Sequence, residues 1–388
     1  MNAIVSRTQD TLLARLAGVQ AGTPLADALA VREEAVLNAE ASARVLFDEG
    51  DLERLSLPER LAFALATCEA HADTLLAVHY RERLVAAGGA SAENARTQVA
   101  LQHVRRLAVE PVRATSADLR TLEAAGWSAD AILTLSQIVA FTSFQSRYLT
   151  GLRLIVGTAA VSQAPLVEVR AGIWHEQPKT DTGRDAPTAF TRDELGWEPW
   201  LAPREPSTLS ADEAFQLDKA GHLKSEYFLL LARDLPVLQH RTRTDKGIFY
   251  THGGLSRAER ELAATVTSKV NGCIYCASVH ARKSAQLSGE APAIDRLLVI
   301  APGDDLTAGQ VARWQSQIRF AAQLAATPHA ATPAHLASLR ASGLTELELL
   351  DLVGAVAFFS WANRLMLTLG EPFLLAMSPL NVEICPKP

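Results

Sequence analysis

Two stretches of this chain, two hundred residues apart, begin the same way. Leu55-Ser56-Leu57-Pro58-Glu59-Arg60 is answered by Leu255-Ser256-Arg257-Ala258-Glu259-Arg260, and Thr67, Ala77 and Gly89 recur as Thr267, Ala277 and Gly289 at the same offset. Further on, Val139-Ala140-Phe141-Thr142-Ser143-Phe144 resembles Val356-Ala357-Phe358-Phe359-Ser360-Trp361, with Arg147 opposite Arg364. Agreement that keeps order and spacing over such distances predicts an internal duplication, so the fold has to be one that can be built twice. Both copies open their key helix with Ser-x-x-Glu. This is the capping box, in which each side chain satisfies an otherwise orphaned backbone N–H of the other residue. The hydroxyl cap alone is typically worth about 1 kcal/mol.

The period of the apolar residues sets the class. Long Ala/Leu-rich stretches place them at three- and four-residue spacing, and strict alternation is scarce, which predicts an all-α protein. The best strand candidate, 161–169, stands alone. A chain of 388 residues exceeds one ordinary core, so two domains of roughly 150–200 residues each are expected. The polar, Gly- and Pro-containing segment 177–187 reads as the linker between them, giving domains 1–190 and 191–388. A formal net charge of -6 leaves no footprint for nucleic acid or an anionic membrane surface. The most apolar run, 352–362, is too short to span a bilayer and reads as a buried helix. No basic n-region precedes an apolar stretch at the N-terminus. Four cysteines in this length do not make a disulfide scaffold. A cytoplasmic protein is expected.

The two copies part company where chemistry would sit. Leu61, Asp73, Leu76 and Tyr80 in the first copy stand opposite Glu261, Cys273, Cys276 and His280 in the second, and His79 lies beside the last of these positions. Asn271-Gly272 is a helix stop, so one helix from about 256 to 270 and another beginning near Cys273 are expected. Cys273 then falls in a first turn, where free N–H groups and the helix dipole favour a thiolate. Cys276 follows three residues on, on the same face, and His280 one turn further. Glu261, twelve residues before Cys273, could orient the imidazole. A nucleophile, a base and an orienting third group form the pattern of an activated nucleophile.

Duller readings stand beside this one. Cys273, Cys276, His280 and Glu261 could also ligate zinc, although no second cysteine pair is present. Glu261 could be a solvated first-turn carboxylate. Tyr275, Phe358, Phe359 and Trp361 read as packing residues, and Cys68 as a small buried hydrophobe. His252 reads as a loop residue and Cys385 as unpaired and incidental. His175, Trp174 and Trp200 carry no readable chemistry.

Glu261, eleven residues, then Cys273-x-x-Cys276-x-x-x-His280 resembles the signature of the alkylhydroperoxidase D branch of the carboxymuconolactone decarboxylase-like superfamily. The leading Ser-x-x-Glu-Arg-Glu, the Asn-Gly before Cys273 and the later helix around 349–370 share in the resemblance, which covers about 197–379. The first copy resembles a degenerate member, so the chain looks like a tandem duplication of an alkylhydroperoxidase D-like helical domain. The resemblance implies a peroxidase or disulfide oxidoreductase. Cys276 would attack the peroxide and become a sulfenic acid, Cys273 would resolve it to a disulfide, and His280 with Glu261 would relay protons. It implies no flavin, haem or metal cofactor, electrons from a lipoylated or thioredoxin-like partner, and a homo-oligomer, either a trimer of pseudo-sixfold character or a hexamer. Some members carry a histidine between the cysteines. Tyr275 stands there in this chain, a hydrogen-bond donor but a poor base at neutral pH. Rival readings are a thiol-independent enzyme acting on a lactone or small carbon acid, a redox sensor, and a structural subunit.

Overall fold

A computed structural model describes residues 2–49, 54–89, 94–159, 174–301 and 304–375. The strand candidate 161–169 and Cys385 lie outside these residues. The protein is all-α, with helices throughout and a single two-stranded antiparallel ribbon among the described residues.

The two capping boxes form as their sequence requires. Ser56 N–H donates to Glu59 at 3.0 Å, ahead of helix Leu57–Ala70. Ser256 Oγ accepts from Glu259 N–H at 3.3 Å, ahead of helix Arg257–Asn271. Each helix turns back through a left-handed residue into a partner helix, Thr74–Ala86 in the first half and Ile274–Ser288 in the second. In the second half that residue is Gly272, at φ 77°. Its counterpart Ala72 has a positive φ of 56° although it carries a Cβ, so the same tight turn forms there without a glycine. The residue after the turn caps the second helix in both halves. Asp73 accepts from Leu76 N–H at 3.1 Å, and Cys273 occupies the same N-cap position.

Two long helices, Ala129–Val156 and Glu346–Leu369, form the spine. Their flanks are set close by Gly151, where a Cβ would run into Val353. Helix Glu346–Leu369 is long and apolar enough to cross a bilayer, but all of its most apolar window is covered by protein. Its Trp361 donates to Gln137 on the opposite spine helix at 2.9 Å. The spine arginines reach across as well. Arg147 donates to Ala326 O at 2.8 Å, at the C-terminus of helix Ala312–Ala325. Arg364 donates to Ala108 O at 2.7 Å, in the last turn of helix Ala95–Val109. Each half thus supplies a buried cation to a helix C-terminus of the other, where unpaired carbonyls and the dipole favour positive charge.

Helices from either side of residue 190 pack against each other. Helix Leu235–Phe249 lies on helix Glu33–Arg44, and a Cβ on Gly247 would strike the backbone of Ala35. The polar segment 177–187, expected as a linker, is pinned down rather than free. Leu374 N–H donates to Asp185 O at 2.7 Å, Asp181 N–H to Glu371 at 2.8 Å, and Thr182 to Glu198 at 2.8 Å. These partners belong to the ribbon of strands Leu195–Pro199 and Gly370–Leu374, in which Trp197 faces Pro372. Gly and Pro within both strands hid them from pattern reading. What holds them is tertiary: a Cβ on Gly196 would strike the Phe373 ring, and Trp197 Nε1 donates to Met366 O at 3.2 Å.

Candidate functional site

Three helices and one spine element converge on the cysteine pair. Helix Arg257–Asn271 supplies Glu261, helix Ile274–Ser288 supplies Cys276 and His280, and helix Leu235–Phe249 supplies Arg241 and Asp245. The spine helix Glu346–Leu369 adds Phe358, Phe359 and Asn363. The helix break after Asn271 falls where Asn-Gly predicts it, one residue later than the expected end at 270, and Cys273 is the cap rather than a first-turn residue.

Glu261 is 99% enclosed, with its side chain only 1% exposed. One carboxylate oxygen takes His280 Nδ1 at 2.5 Å and the other takes Arg257 Nε at 2.5 Å. Burial opposes ionisation of Glu261, but His280 and Arg257 outweigh it, and the carboxyl is held below the usual carboxylate range. Glu261 is therefore not a solvated surface carboxylate. It is the buried anchor of the imidazole, a carboxylate–histidine arrangement that fixes ring orientation. The Phe359 ring closes on the other side of His280, with centroids 4.2 Å apart.

Both thiols are buried and unlinked. The helix-dipole argument favours a thiolate at Cys273, and the surroundings of that sulfur in the structure oppose one. Burial, reinforced by the neighbouring sulfur of Cys276, pushes the Cys273 thiol well up. Burial acts on Cys276 too. There it is outweighed by the hydrogen bond donated from Cys273, the charge of His280, a hydrogen bond from Asn363 and the charge of Arg241, so the Cys276 thiol is pulled down. Asn363 is held by its own partners, donating to Ser268 Oγ at 3.0 Å and accepting from Asn271 at 3.0 Å.

Access separates the sulfurs as well. Cys276 lines a cavity of about 240 Å³ together with His280, Tyr275, Arg241 and Asp245, walled by Phe358 and Phe359. Cys273 faces a different void of about 20 Å³, shared with His175 and Trp197. Tyr275 borders both, and burial raises its phenol pKa, which keeps the phenol protonated at neutral pH. Phe358 and Phe359 are at once core and cavity wall, whereas Trp361 is core alone. Among the described residues no group of three or more His, Cys, Asp or Glu side chains is arranged to hold a metal ion.

Sequence reading missed Arg241 and Asp245. The available signal was their spacing of four on one helix, which puts both on one face. It also missed that Asn363, quoted only as part of a helix, touches the sulfurs. At the equivalent place in the first half, Leu76 stands opposite Cys276 and Tyr80 donates to Gln145 at 2.6 Å. Cys68 is fully buried, and burial pushes its thiol well up.

The acidity of Cys276 has a measurable consequence. The thiolate is the form that reacts with iodoacetamide. Alkylation of Cys276 should therefore rise with pH through a midpoint displaced below that of an ordinary thiol. Replacing Cys273 by Ala removes a donor to the thiolate, so the midpoint should move up. A midpoint that stayed put, or fell, would show that the Cys273 hydrogen bond is not what stabilises the anion.

Residues 236–304 match the carboxymuconolactone decarboxylase family. That span holds Arg241, Asp245, Glu261, both cysteines and His280, so the expected superfamily relationship is met over the segment that builds the site. No curated protein matches the chain. Among solved structures, the crystal structure of an alkylhydroperoxidase AhpD core, an uncharacterized peroxidase-related protein from Ralstonia eutropha JMP134, is 24% identical. The match covers 44% of this chain and 88% of that one, with a TM-score of 0.37.

Proposed function

We propose that this protein is a dithiol peroxidase in which Cys276 reduces a hydroperoxide and Cys273 closes the disulfide. The observation that carries the reading is the asymmetry of the pair. One sulfur is acidic, opens on an apolar cavity and sits beside the His280–Glu261 couple. The other is a protonated donor bonded to it.

The Cys276 thiolate attacks the hydroperoxide, taking one oxygen as Cys276–SOH while the O–O bond breaks and the departing alkoxide takes a proton to leave as alcohol. His280, held by Glu261 through Nδ1, delivers that proton and then assists deprotonation of Cys273. The Cys273 sulfur displaces water from Cys276–SOH and the disulfide forms. An external dithiol, from a lipoylated or thioredoxin-like partner, returns two electrons. The chemistry needs no flavin, haem or metal. The same reading takes the protein as a cytoplasmic homo-oligomer, a trimer of pseudo-sixfold character or a hexamer. It takes the first half, with its matching capping box, left-handed turn and reciprocal arginine, as a tandem copy that has lost the thiols.

The test is stoichiometric. One equivalent of cumene hydroperoxide should remove two thiols per chain, with release of one equivalent of the alcohol, far faster than free cysteine reacts. Thiol loss no faster than that of free cysteine would remove the proposal and favour the thiol-independent lactone or carbon-acid enzyme.

A further inference from the structure

We propose that Arg241 recognises a carboxylate on the substrate, so that the preferred oxidant is a small organic hydroperoxide bearing an acid group. The proposal rests on the dithiol reading for the reacting end of the molecule and on separate observations for the other end.

Arg241 is only 5% exposed. Among the described residues its one hydrogen bond is a long one, 3.3 Å from Nη2 to the Tyr227 hydroxyl, and its buried Nε has no partner there. Arg147, Arg260 and Arg364 likewise keep an Nε without a partner, but each of the other buried arginines also makes a short bond to a carboxylate or a backbone carbonyl. Arg32 and Arg260 share Asp351 at 2.6 and 2.9 Å, while Arg147 and Arg364 end on backbone carbonyls. Arg241 meets neither kind of group and lies instead over apolar rings, 5.0 Å from the Phe358 centroid. A guanidinium taken out of water without an anion is costly, and a buried donor without a partner calls for an explanation. The explanation consistent with its position is an absent ligand, because Arg241 lines the same cavity as Cys276 and His280.

The shape and lining of the cavity define that ligand. About 240 Å³ is less than the ~300 Å³ at which drug-sized pockets begin. Phe228, Phe359, Met366 and Val279 offer an apolar body to pack on. Asp245, one helical turn from Arg241, forms no ion pair with it, and burial raises its carboxyl pKa against the opposing charges of Arg241 and His280. The cavity therefore presents a cation, an apolar wall and a reactive sulfur to one molecule. A carboxylate can meet the guanidinium through two parallel N–H···O bonds.

The test compares cumene hydroperoxide bearing a para-carboxylate with the methyl ester of the same compound, using the full-length protein and following thiol loss by stopped flow. The wild type should react about ten- to a hundredfold faster with the acid, the span expected for hydrogen bonds to a charged group. In Arg241→Gln the acid/ester ratio should fall to about one, and Arg241→Lys should keep part of it. If Arg241 served only the Cys276 thiolate, both substrates would slow by one common factor and the ratio would survive, which overturns the proposal. Equal rates for acid and ester in the wild type overturn it without any variant, so misfolding of a variant cannot shield it. Binding of para-isopropylbenzoate to Cys276→Ser, followed by calorimetry, needs no peroxidase activity. Arg241-dependent binding there, with no thiol oxidation by either hydroperoxide, would retain the carboxylate site at Arg241 and discard the dithiol reading together with the hydroperoxide as its ligand. Peroxidase activity with neither binding nor acid preference would do the reverse.

Discussion

Replacing Cys276 by Ser is expected to reduce hydroperoxide consumption to background, while replacing Cys273 by Ser stops the cycle after one oxidation. The two sulfurs are neighbours in sequence and space, yet their environments assign them different work. Cys276 is the acidic one and borders the cavity. Cys273 is buried, protonated and turned to a void of about 20 Å³. In Cys273→Ser one equivalent of hydroperoxide should consume one thiol, and the product should be a sulfenic acid that a cyclic 1,3-diketone traps and mass spectrometry locates at residue 276. Cys276→Ser should trap nothing. Removing the imidazole in His280→Asn should leave both thiols but slow the first oxidation by about 10²- to 10⁴-fold, the usual span for a positioned acid–base group. The opposite pattern, with first oxidation lost in Cys273→Ser and kept in Cys276→Ser, would invert the assignment.

The largest expected loss of stability comes from Asp351→Ala. This carboxylate is 1% exposed and receives Arg32 at 2.6 Å, Arg260 at 2.9 Å and the N–H of Leu255 at 2.9 Å. Gly254 passes so close, at φ +68°, that a Cβ there would strike Asp351. Arg32 comes from the first half of the chain, and it also donates to His252 O and Gly253 O at 3.1 and 2.7 Å. The segment 252–254, which reads in sequence as an ordinary turn, is thus the joint where the first half, the spine and the start of helix Arg257–Asn271 meet. Removing the carboxylate leaves two buried guanidiniums uncompensated, at a cost of about 3–5 kcal/mol. Equilibrium unfolding in urea measures it. The exposed pair Arg81–Glu69, at 2.8 Å, provides the contrast, since breaking a pair of that kind costs about 1 kcal/mol or less. Equal losses at the two places would mean that Asp351 is not the joint.

The parts of the fold legible in the sequence were those written in local code. Ser56 with Glu59 and Ser256 with Glu259 announce helix starts, Asn271-Gly272 announces a stop, and the three- and four-residue spacing announces helices. Each depends on residues within one or two turns, where backbone hydrogen bonds and φ preferences decide the outcome. Glu261, Cys276 and His280 were legible for the same reason, since they lie on two consecutive helices joined by one short turn. The ribbon Leu195–Pro199 with Gly370–Leu374 was not, because it is held by packing across the chain, against intrinsic preference.

The sequence by itself therefore determined that the chain is helical, where its helix pairs begin and turn, and that His280 and Glu261 come together beside one cysteine pair. Tertiary structure alone decided which cysteine is the more acidic, that Tyr275 lines the cavity, and that Arg241 comes to the Cys276 sulfur without an ion pair to a carboxylate among the described residues. The physical reason is range. Capping and periodicity act over a few residues, whereas burial and charge act through space and bring Asn363 and Arg241 to Cys276 from helices remote in the chain.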